Sequence, residues 1–543
     1  MTLKHRLGHG VLKRLVAWGE RGFRRNLGQL EAVQRRKHQG LMRKLAATPS
    51  AKQFDLDAET DWQRFVERVP VSSYADWASS IEQLRAGGDN LIDSPIARFQ
   101  PTSGSTSAIK WIPYTKQFLS ELDGAIVPWL ADLYRQFPRI AQGSHYWSLS
   151  WLPTDMRDGG SADLNDDMQL LSAGKRLLAA ATQAVPEQVA LAPTSQDAAF
   201  ATLVMMVADT QLAVMSVWSP TFALTQLEQL GAWREEIAEC LQRGHWGARA
   251  EALGFLRCPK NPRQASLLRG WHGKPEPAFF RELWPSLALV SAWDTAAATR
   301  WAKVLHEYLP HAGFQGKGLW ATEGVVTFPY QQQHLLAYQS HIYEFEDLDS
   351  GKVVPAWSLR VGQQVAPVIT TGSGLLRYRM GDHLQVGGFV ESVPALTFLG
   401  REDGVDLVGE KLSSQTAQQL LDGIAATFAV HTVSLVALEE SDDNGHPGYV
   451  VLLEHVGDAD LERIAEHAEK VLQENFHYRL ARSLNQLNPV RVIAAHDMRD
   501  YYLDQCRQRG MIEGNIKIEP LRRWDGALPQ RLARRVAQQP ELA

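Results

Sequence analysis

Between Thr102 and Lys110 the chain reads Thr-Ser-Gly-Ser-Thr-Ser-Ala-Ile-Lys. Pro95–Phe99 before it has the pattern of a short strand, and Trp111–Thr115 after it reads as a second strand. A helical run starts near Lys116. Five of the nine loop residues are Ser or Thr. Gly104 lets the backbone turn its N–H groups toward an anion. The hydroxyls of Ser103, Ser105 and Thr106 can donate to phosphate oxygens, and Lys110 adds a full positive charge. This is the chemistry of a triphosphate cradle. It is not the Walker loop, which requires GxxxxGK[ST]. Taken alone, the stretch reads equally well as a solvated loop, so its neighbours have to decide.

Apolar strands alternate with helices on both sides of that loop. Lys116–Gln136 has helical periodicity, Ser144–Leu152 reads as a strand, and Ala199–Val207 is apolar at helical spacing. Leu212–Trp218 and Leu287–Trp293 read as buried strands, each followed by a helix, over 222–230 and 295–308. The alternation predicts an α/β fold with helices flanking mixed sheets. Upstream, Ser72–Trp77 looks like an N-cap opening a helix to Arg85. Beyond residue 410, helices at 413–428 and 459–475 and strands at 432–438, 448–454 and 490–495 make a small α+β unit, with 490–495 as its last strand. With 543 residues the chain holds more than one domain. The expected division is a large domain over 1–404 and a small one over 405–543.

Composition removes several classes of function. A net charge of −5 argues against general nucleic-acid binding. Cys240, Cys258 and Cys506 are too far apart for a CxxC pair and point to a reducing compartment. No apolar run reaches the roughly 18 residues of a membrane span, and no signal-peptide pattern opens the chain. A cytoplasmic protein without stable membrane insertion is expected. Residues 1–50 are different, with twelve Lys or Arg against only Glu20 and Glu31. Apolar residues recur there near helical spacing. One or two helices packed on the main domain with a solvated basic face are expected; a membrane-surface or partner helix is the other reading.

Two stretches resist a more familiar assignment. Gly313 to Gly318 runs GxxGxG rather than the GxGxxG of a dinucleotide fingerprint. The aspartate-rich segment 155–167 lacks the DxDxDG spacing of a calcium loop and reads as solvated surface.

Four further segments carry chemistry. Trp320-Ala321-Thr322-Glu323-Gly324 places a carboxylate beside a hydroxyl, as a magnesium–triphosphate site needs. Tyr378-Arg379-Met380-Gly381-Asp382 follows a Thr370–Gly374 turn, and an aspartate there can accept from two ribose hydroxyls at once. Leu399-Gly400-Arg401-Glu402-Asp403-Gly404 leads through Asp406 to Gly409-Glu410-Lys411-Leu412, short and charged as a hinge requires. Glu513-Gly514-Asn515-Ile516-Lys517-Ile518 puts one lysine near the end.

Together with the approach Phe65-Val66-Glu67-Arg68-Val69-Pro70-Val71, Tyr74 and Pro95-Ile96-Ala97-Arg98-Phe99, these segments resemble the auxin-responsive GH3 acyl-acid amido synthetases. That family sits within the acyl-adenylate-forming superfamily, and the resemblance spans roughly residues 60–520. The first loop is similar to the superfamily pattern [ST]SG[ST]TxxxK, with Ser107 where Gly is usual. The others are similar to YGxTE (SSE in plant members), YRxGD and GRxxD…GEKL.

The resemblance implies an adenylate-forming large domain and a small mobile cap. It implies ATP held by Ser103, Gly104, Ser105, Thr106, Lys110, Thr322, Tyr378, Asp382 and Arg401, with Mg²⁺ on Glu323. Thr322, Glu323 and Lys517 become the catalytic candidates, with Arg522 and Arg523 competing for the role of Lys517. Trp151, Met205, Trp218, Ala321 and Val325 become the acyl pocket, and Asp406 the hinge. The implied reaction adenylates a carboxylic acid and passes the acyl group to the amine of an amino acid. A thiol acceptor, as in an acyl-CoA ligase or a carrier-loading enzyme, is the alternative. A homologue that binds a small acid or nucleotide without turnover is the third reading.

Overall fold

Four strands with branched or aromatic cores build the central sheet of the first unit: β3 (Ser144–Trp147), β4 (Leu212–Ser216), β5 (Leu289–Ala292) and β6 (Gly313–Gly316). They lie in sequence order and every neighbouring pair is parallel. Parallel neighbours need crossover helices, and the expected α/β alternation supplies them. This computed structural model describes residues 3–89, 91–101, 110–151, 165–166, 182–401, 404–405, 407–408, 410, 412–439, 447–454, 460–483, 486–508, 511 and 516–524. Ser103, Gly104, Ser105, Thr106, the segment 155–164 and Asp406 lie outside them. Two units are distinguished: the first begins at Met1 and runs to Leu399, and the second begins at Gly400.

The basic N-terminal segment forms two helices, α1 (Leu3–Arg25) and α2 (Leu30–Leu45). Leu12, Val16 and Phe23 turn one face of α1 into the core. A capping box of Ser73 and Asp76 starts α3 (Tyr74–Arg85) at the predicted N-cap. The hydroxyl-rich loop joins β1 (Ile96–Pro101) to β2 (Trp111–Thr115), which pair antiparallel from Ile96–Thr115 to Pro101–Trp111. Thr115 then caps α4 (Lys116–Gln136) by accepting from Phe118 N–H at 3.0 Å. The helix α5 (Ser195–Ala208) is buried almost all round, as its uninterrupted apolar stretch requires.

After β6 comes a two-stranded hairpin, β7 (Trp320–Ala321) and β8 (Gly324–Val325). An antiparallel eight-stranded sheet follows. Its strands are β9 (Thr327–Tyr330), β10 (Gln333–Leu336), β11 (Ile342–Asp347), β12 (Val353–Pro355), β13 (Gln364–Thr370), β14 (Tyr378–Arg379), β15 (Asp382–Val390) and β16 (Val393–Arg401). The main path runs β9-β10-β16-β15-β13-β11-β12, with β14 on β13.

The second unit packs α6 (Ser414–Phe428) and α7 (Leu461–Leu472) with a four-stranded sheet. The strands are β17 (His431–Leu438), β18 (Gly448–Glu454), β19 (Arg491–Ala494) and β20 (Leu521–Trp524), ordered β19-β18-β17-β20. The segment near 490–495 is therefore not the last strand, because β20 adds parallel to β17. Two consecutive arginines hid β20 in the sequence. Arg522 is in fact buried, its guanidinium 5.7 Å from the ring of Tyr502 and 5.9 Å from that of Trp524. Arg523 points out and meets Glu439 at 3.1 Å. Both candidates to replace Lys517 thus have places within this unit.

Candidate active site

The hairpin of β7 and β8 pairs Ala321 with Gly324, so Thr322 and Glu323 form its two-residue tip. A tight turn lifts both side chains away from the strands, and both are half-buried. The hydroxyl of Tyr114 on β2 donates to the carbonyl of Thr322 at 3.0 Å. The hydroxyl of Tyr378 donates to Oε1 of Glu323 at 3.4 Å. Residues from three widely separated segments therefore meet at the hairpin tip. Burial pushes the Tyr114 phenol far above its ordinary pKa; Arg98 opposes the shift and the Glu323 charge adds to it.

The base of the hydroxyl-rich loop lies beside this point. Its two ends are fixed by the Pro101–Trp111 pair. Tyr74 accepts from Trp111 N–H at 2.9 Å, and the Lys110 ammonium lies 5.7 Å from the Tyr74 ring centre. Arg85 stacks on Trp111 at 4.3 Å, and Arg98 on Tyr114 at 4.9 Å.

The Tyr378–Asp382 segment is locked onto the approach segment. Ser72 N–H donates to Arg377 carbonyl at 2.9 Å, and Arg379 N–H returns a bond to Ser72 carbonyl at 2.8 Å. Arg377 is buried and grips Glu344 with two bonds of 2.8 and 3.0 Å. Its Nη1 donates to the carbonyls of Val66 and Val69. Burial raises the Glu344 pKa despite that guanidinium. Asp382 is buried at the start of β15. Arg401 ends β16; its side chain lies outside the description.

A second chain of bonds supports the hairpin from behind. Val325 N–H donates to Nε2 of His341 at 3.2 Å, and His341 Nδ1 meets Glu121 at 2.8 Å. Glu121 also accepts from Gly372 N–H at 2.9 Å, in the turn before Tyr378. The side chain of Val325 belongs to the core. Met205 is likewise buried in the apolar cluster around α5. Ala321 is half-buried on the hairpin, and Trp151, also half-buried, donates from Nε1 to Ala192 carbonyl at 2.8 Å.

Trp218 sits in a larger aromatic group than its neighbours in sequence indicate. The registers align Trp147, Ser216, Ser291 and Gln315 in one row across the parallel sheet. Two residues further along each strand come Trp218, Trp293 and Lys317 on the same face, at the carboxyl ends where open α/β sheets bind ligands. Lys317 is buried, with its ammonium 4.0 Å from the Trp218 ring centre and 5.9 Å from that of Trp129. Trp129 on α4 donates to Gln315 Oε1 at 2.9 Å and meets Trp147 at 5.7 Å. Trp320, first residue of the hairpin, is 6.2 Å from Trp218. All five indoles are half-buried, as the lining of a cavity would be. Gly318 is required beside this wall: a Cβ there would sit 2.2 Å from Thr327 carbonyl oxygen.

Trp129, Trp147, Trp293 and Lys317 were not singled out from sequence. The signal was present as a repeat: Ser216-Val217-Trp218, Ser291-Ala292-Trp293 and Gln315-Gly316-Lys317 share one two-residue spacing.

In the second unit Lys517 is exposed between buried Ile516 and Ile518. Glu410 of the GEKL segment is buried; it accepts from the N–H groups of Leu407 and Val408 at 2.8 Å each, and from the Tyr449 hydroxyl.

Models of three domains match successive parts of the chain: the GH3 family N-terminal domain over 20–314, the central domain over 334–401 and the C-terminal domain over 414–525. The chain is 21% identical over 443 residues to the indole-3-acetic acid-amido synthetase GH3.15 of Arabidopsis thaliana, covering 74% of this chain and 73% of that protein. It is 22% identical to the jasmonoyl-L-amino acid synthetase JAR4 of Nicotiana attenuata, with 80% of each covered. The solved GH3.15 acyl acid amido synthetase superposes with a TM-score of 0.77 at 17% identity, over 95% of this chain and 94% of that one. Its complex with 2,4-DB gives 0.76 at 18% identity, over 94% of each. These likenesses establish a shared fold across nearly the whole length.

Proposed function

The chain belongs to the GH3 family, and from that premise we propose that it is an ATP-dependent acyl-acid amido synthetase. It adenylates a small carboxylic acid and transfers the acyl group to an amino acid. The observation that carries this reading is the meeting of Tyr114, Thr322, Glu323 and Tyr378 beside the base of the hydroxyl-rich loop.

In the first step a carboxylate oxygen attacks the α-phosphorus of ATP and pyrophosphate leaves. Ser103, Gly104, Ser105, Thr106 and Lys110 hold the phosphates, Thr322 faces the α-phosphate, and Asp382 and Arg401 hold the ribose. Positioning and charge neutralisation carry the step, and no protein nucleophile is required. Glu323 suits Mg²⁺: it is a half-buried carboxylate at a turn tip, and this ion is usually held by one or two carboxylates together with substrate phosphates. Bound there, Mg²⁺ would neutralise charge on the departing pyrophosphate.

In the second step the amine nitrogen attacks the acyl carbonyl, AMP leaves, and the nitrogen loses a proton. Lys517 is the residue we assign to the charge developing on the acyl phosphate. Asp406 is the hinge we assign, between a large domain over 1–404 and a cap over 405–543. The acid lies against Trp218 and its neighbouring indoles. Among the described residues no helix is long and apolar enough to cross a membrane.

The test is product analysis with a panel of aryl, indole and fatty acids, each with mixed amino acids or with CoA. AMP and pyrophosphate that form with an acid, and an amide that forms with an amino acid, establish the function. AMP rising only with CoA would transfer the protein to the thiol-acceptor class, and ADP would overturn adenylation.

A further inference from the structure

The exposed face of α1 combines two parallel stripes. Val11, Leu15 and Trp18 stand at i, i+4 and i+7, so they lie along one side of the helix. They are 44%, 45% and 75% exposed. Arg14, Arg21 and Arg25, at i, i+7 and i+11, form the adjoining stripe, and all three are exposed. Among the described residues the large apolar side chains exposed elsewhere are scattered singly along the chain; here three share one helix face.

The opposite face shows that this helix is not a loose tail. His9 bonds the Tyr134 hydroxyl at 2.8 Å and Gly143 carbonyl at 2.7 Å. Glu20 accepts from Tyr330 at 2.8 Å and pairs with Arg135. Leu12, Val16 and Phe23 are buried. The helix is therefore held rigidly, with the apolar and arginine stripes presented outward. The expected packing on the main domain is present, but the outward face is more than a solvated basic surface.

We propose that this face docks α1 in the plane of an anionic phospholipid surface. An interfacial helix needs an apolar stripe carrying Trp or Leu, bordered by Lys or Arg that meet the headgroups. Trp18 is the most exposed residue of the stripe, and indoles prefer the headgroup level. Charge selects the partner: the first fifty residues hold twelve Lys or Arg against two Glu, whereas the chain as a whole carries −5. A negative surface attracts this end and repels the remainder, so docking has one orientation. The inference is independent of the ligase reading.

The full-length protein would be sedimented with phosphatidylcholine vesicles and with vesicles containing 30% phosphatidylglycerol, at low and high salt. At least fivefold more protein should pellet with the anionic vesicles at low salt, and high salt should remove the excess. Leu15→Ser with Trp18→Ser should lose the binding, as should Arg14→Gln with Arg21→Gln and Arg25→Gln. Circular dichroism and the urea midpoint should stay unchanged in both variants. Equal pelleting with neutral and anionic vesicles would overturn the proposal, as would arginine-independent binding. So would a monomer–dimer equilibrium in light scattering that Trp18→Ser abolishes, because the stripe would then cover a second copy.

Discussion

Nε2 of His341 accepts the backbone N–H of Val325 at 3.2 Å. That bond fixes the tautomer, because the nitrogen that accepts carries no proton. Nδ1 therefore holds the hydrogen and donates to Glu121 at 2.8 Å. Burial holds the His341 pKa below its ordinary value, and Glu121 only partly offsets this. For Glu121 burial acts upward, but the hydrogen bond from His341, with the Lys37 charge and the Gln117 hydrogen bond, brings it below the usual carboxylate range. The Thr322–Glu323 hairpin thus rests on a buried pair that also holds Gly372.

His341→Leu leaves that carboxylate buried without its main donor. Loss of about 3 kcal/mol or more of stability is expected, the cost of breaking a buried pair. AMP formation per folded molecule should fall as well, since Val325 N–H loses its acceptor. His341→Gln can both donate and accept, so it should recover a large part of each. Urea unfolding and pyrophosphate release check the two effects separately.

Glu323→Gln tests the metal assignment without disturbing the fold, because the residue sits on a turn. Stability should change by no more than about 0.5 kcal/mol. AMP formation should fall by about a hundredfold, and its dependence on Mg²⁺ concentration should disappear. Tyr378→Phe removes the long 3.4 Å bond to Glu323 and should cost roughly tenfold or less. Wild-type rates in Glu323→Gln would remove this carboxylate from the metal site.

The architecture was legible because periodicity and turn chemistry act locally. Trp111–Thr115 and Lys116–Gln136 form as read, and Thr115 closes the helix start. Ser73 does the same for α3. The segments proposed for the site stood out in the sequence because they set side chains of definite chemistry beside glycines and turn residues, as Thr322-Glu323-Gly324 does. Less visible was what depends on register between distant strands. The row from Trp147 through Ser216 and Ser291 to Gln315 joins residues far apart in sequence. Nor does Arg377 announce that it binds Glu344 and the carbonyls of Val66 and Val69. Arg522 misled for a related reason: its charge is buried against two rings, and sequence patterns score it as surface.

Lys317 should determine how the acid is held. Its ammonium lies over Trp218 and near Trp129, within the half-buried indoles. Lys317→Met keeps the apolar stem and removes the charge. The KM for the acid should rise about tenfold while the KM for ATP stays within twofold, the pattern of a lost ground-state contact. Lys317→Arg, which keeps the charge, should recover part of the loss. Equal rises in both KM values would show a general disturbance of the sheet edge.

Stability should fall on mild acidification, and His38 should account for a definable share. Its ring is buried 5.5 Å from the Trp62 ring and 5.2 Å from that of Phe65. Among the described residues Nε2 finds no hydrogen-bond partner. Burial lowers the His38 pKa from 6.5 to about 4, with Asp61 opposing and Arg35 adding to the shift. Between those two values the unfolded chain binds more protons than the folded one. The stabilising contribution is therefore complete above pH 6.5 and is lost as pH falls toward 4. At pH 5 the loss from this group is about 2 kcal/mol, taking about 1.4 kcal/mol for each pKa unit crossed. His311, His334 and His341 are shifted the same way by burial and add to the slope. His38→Leu should remove its own share, so the difference between urea midpoints at pH 7.5 and 5 should shrink. An unchanged difference would show that the other buried histidines carry the acid sensitivity.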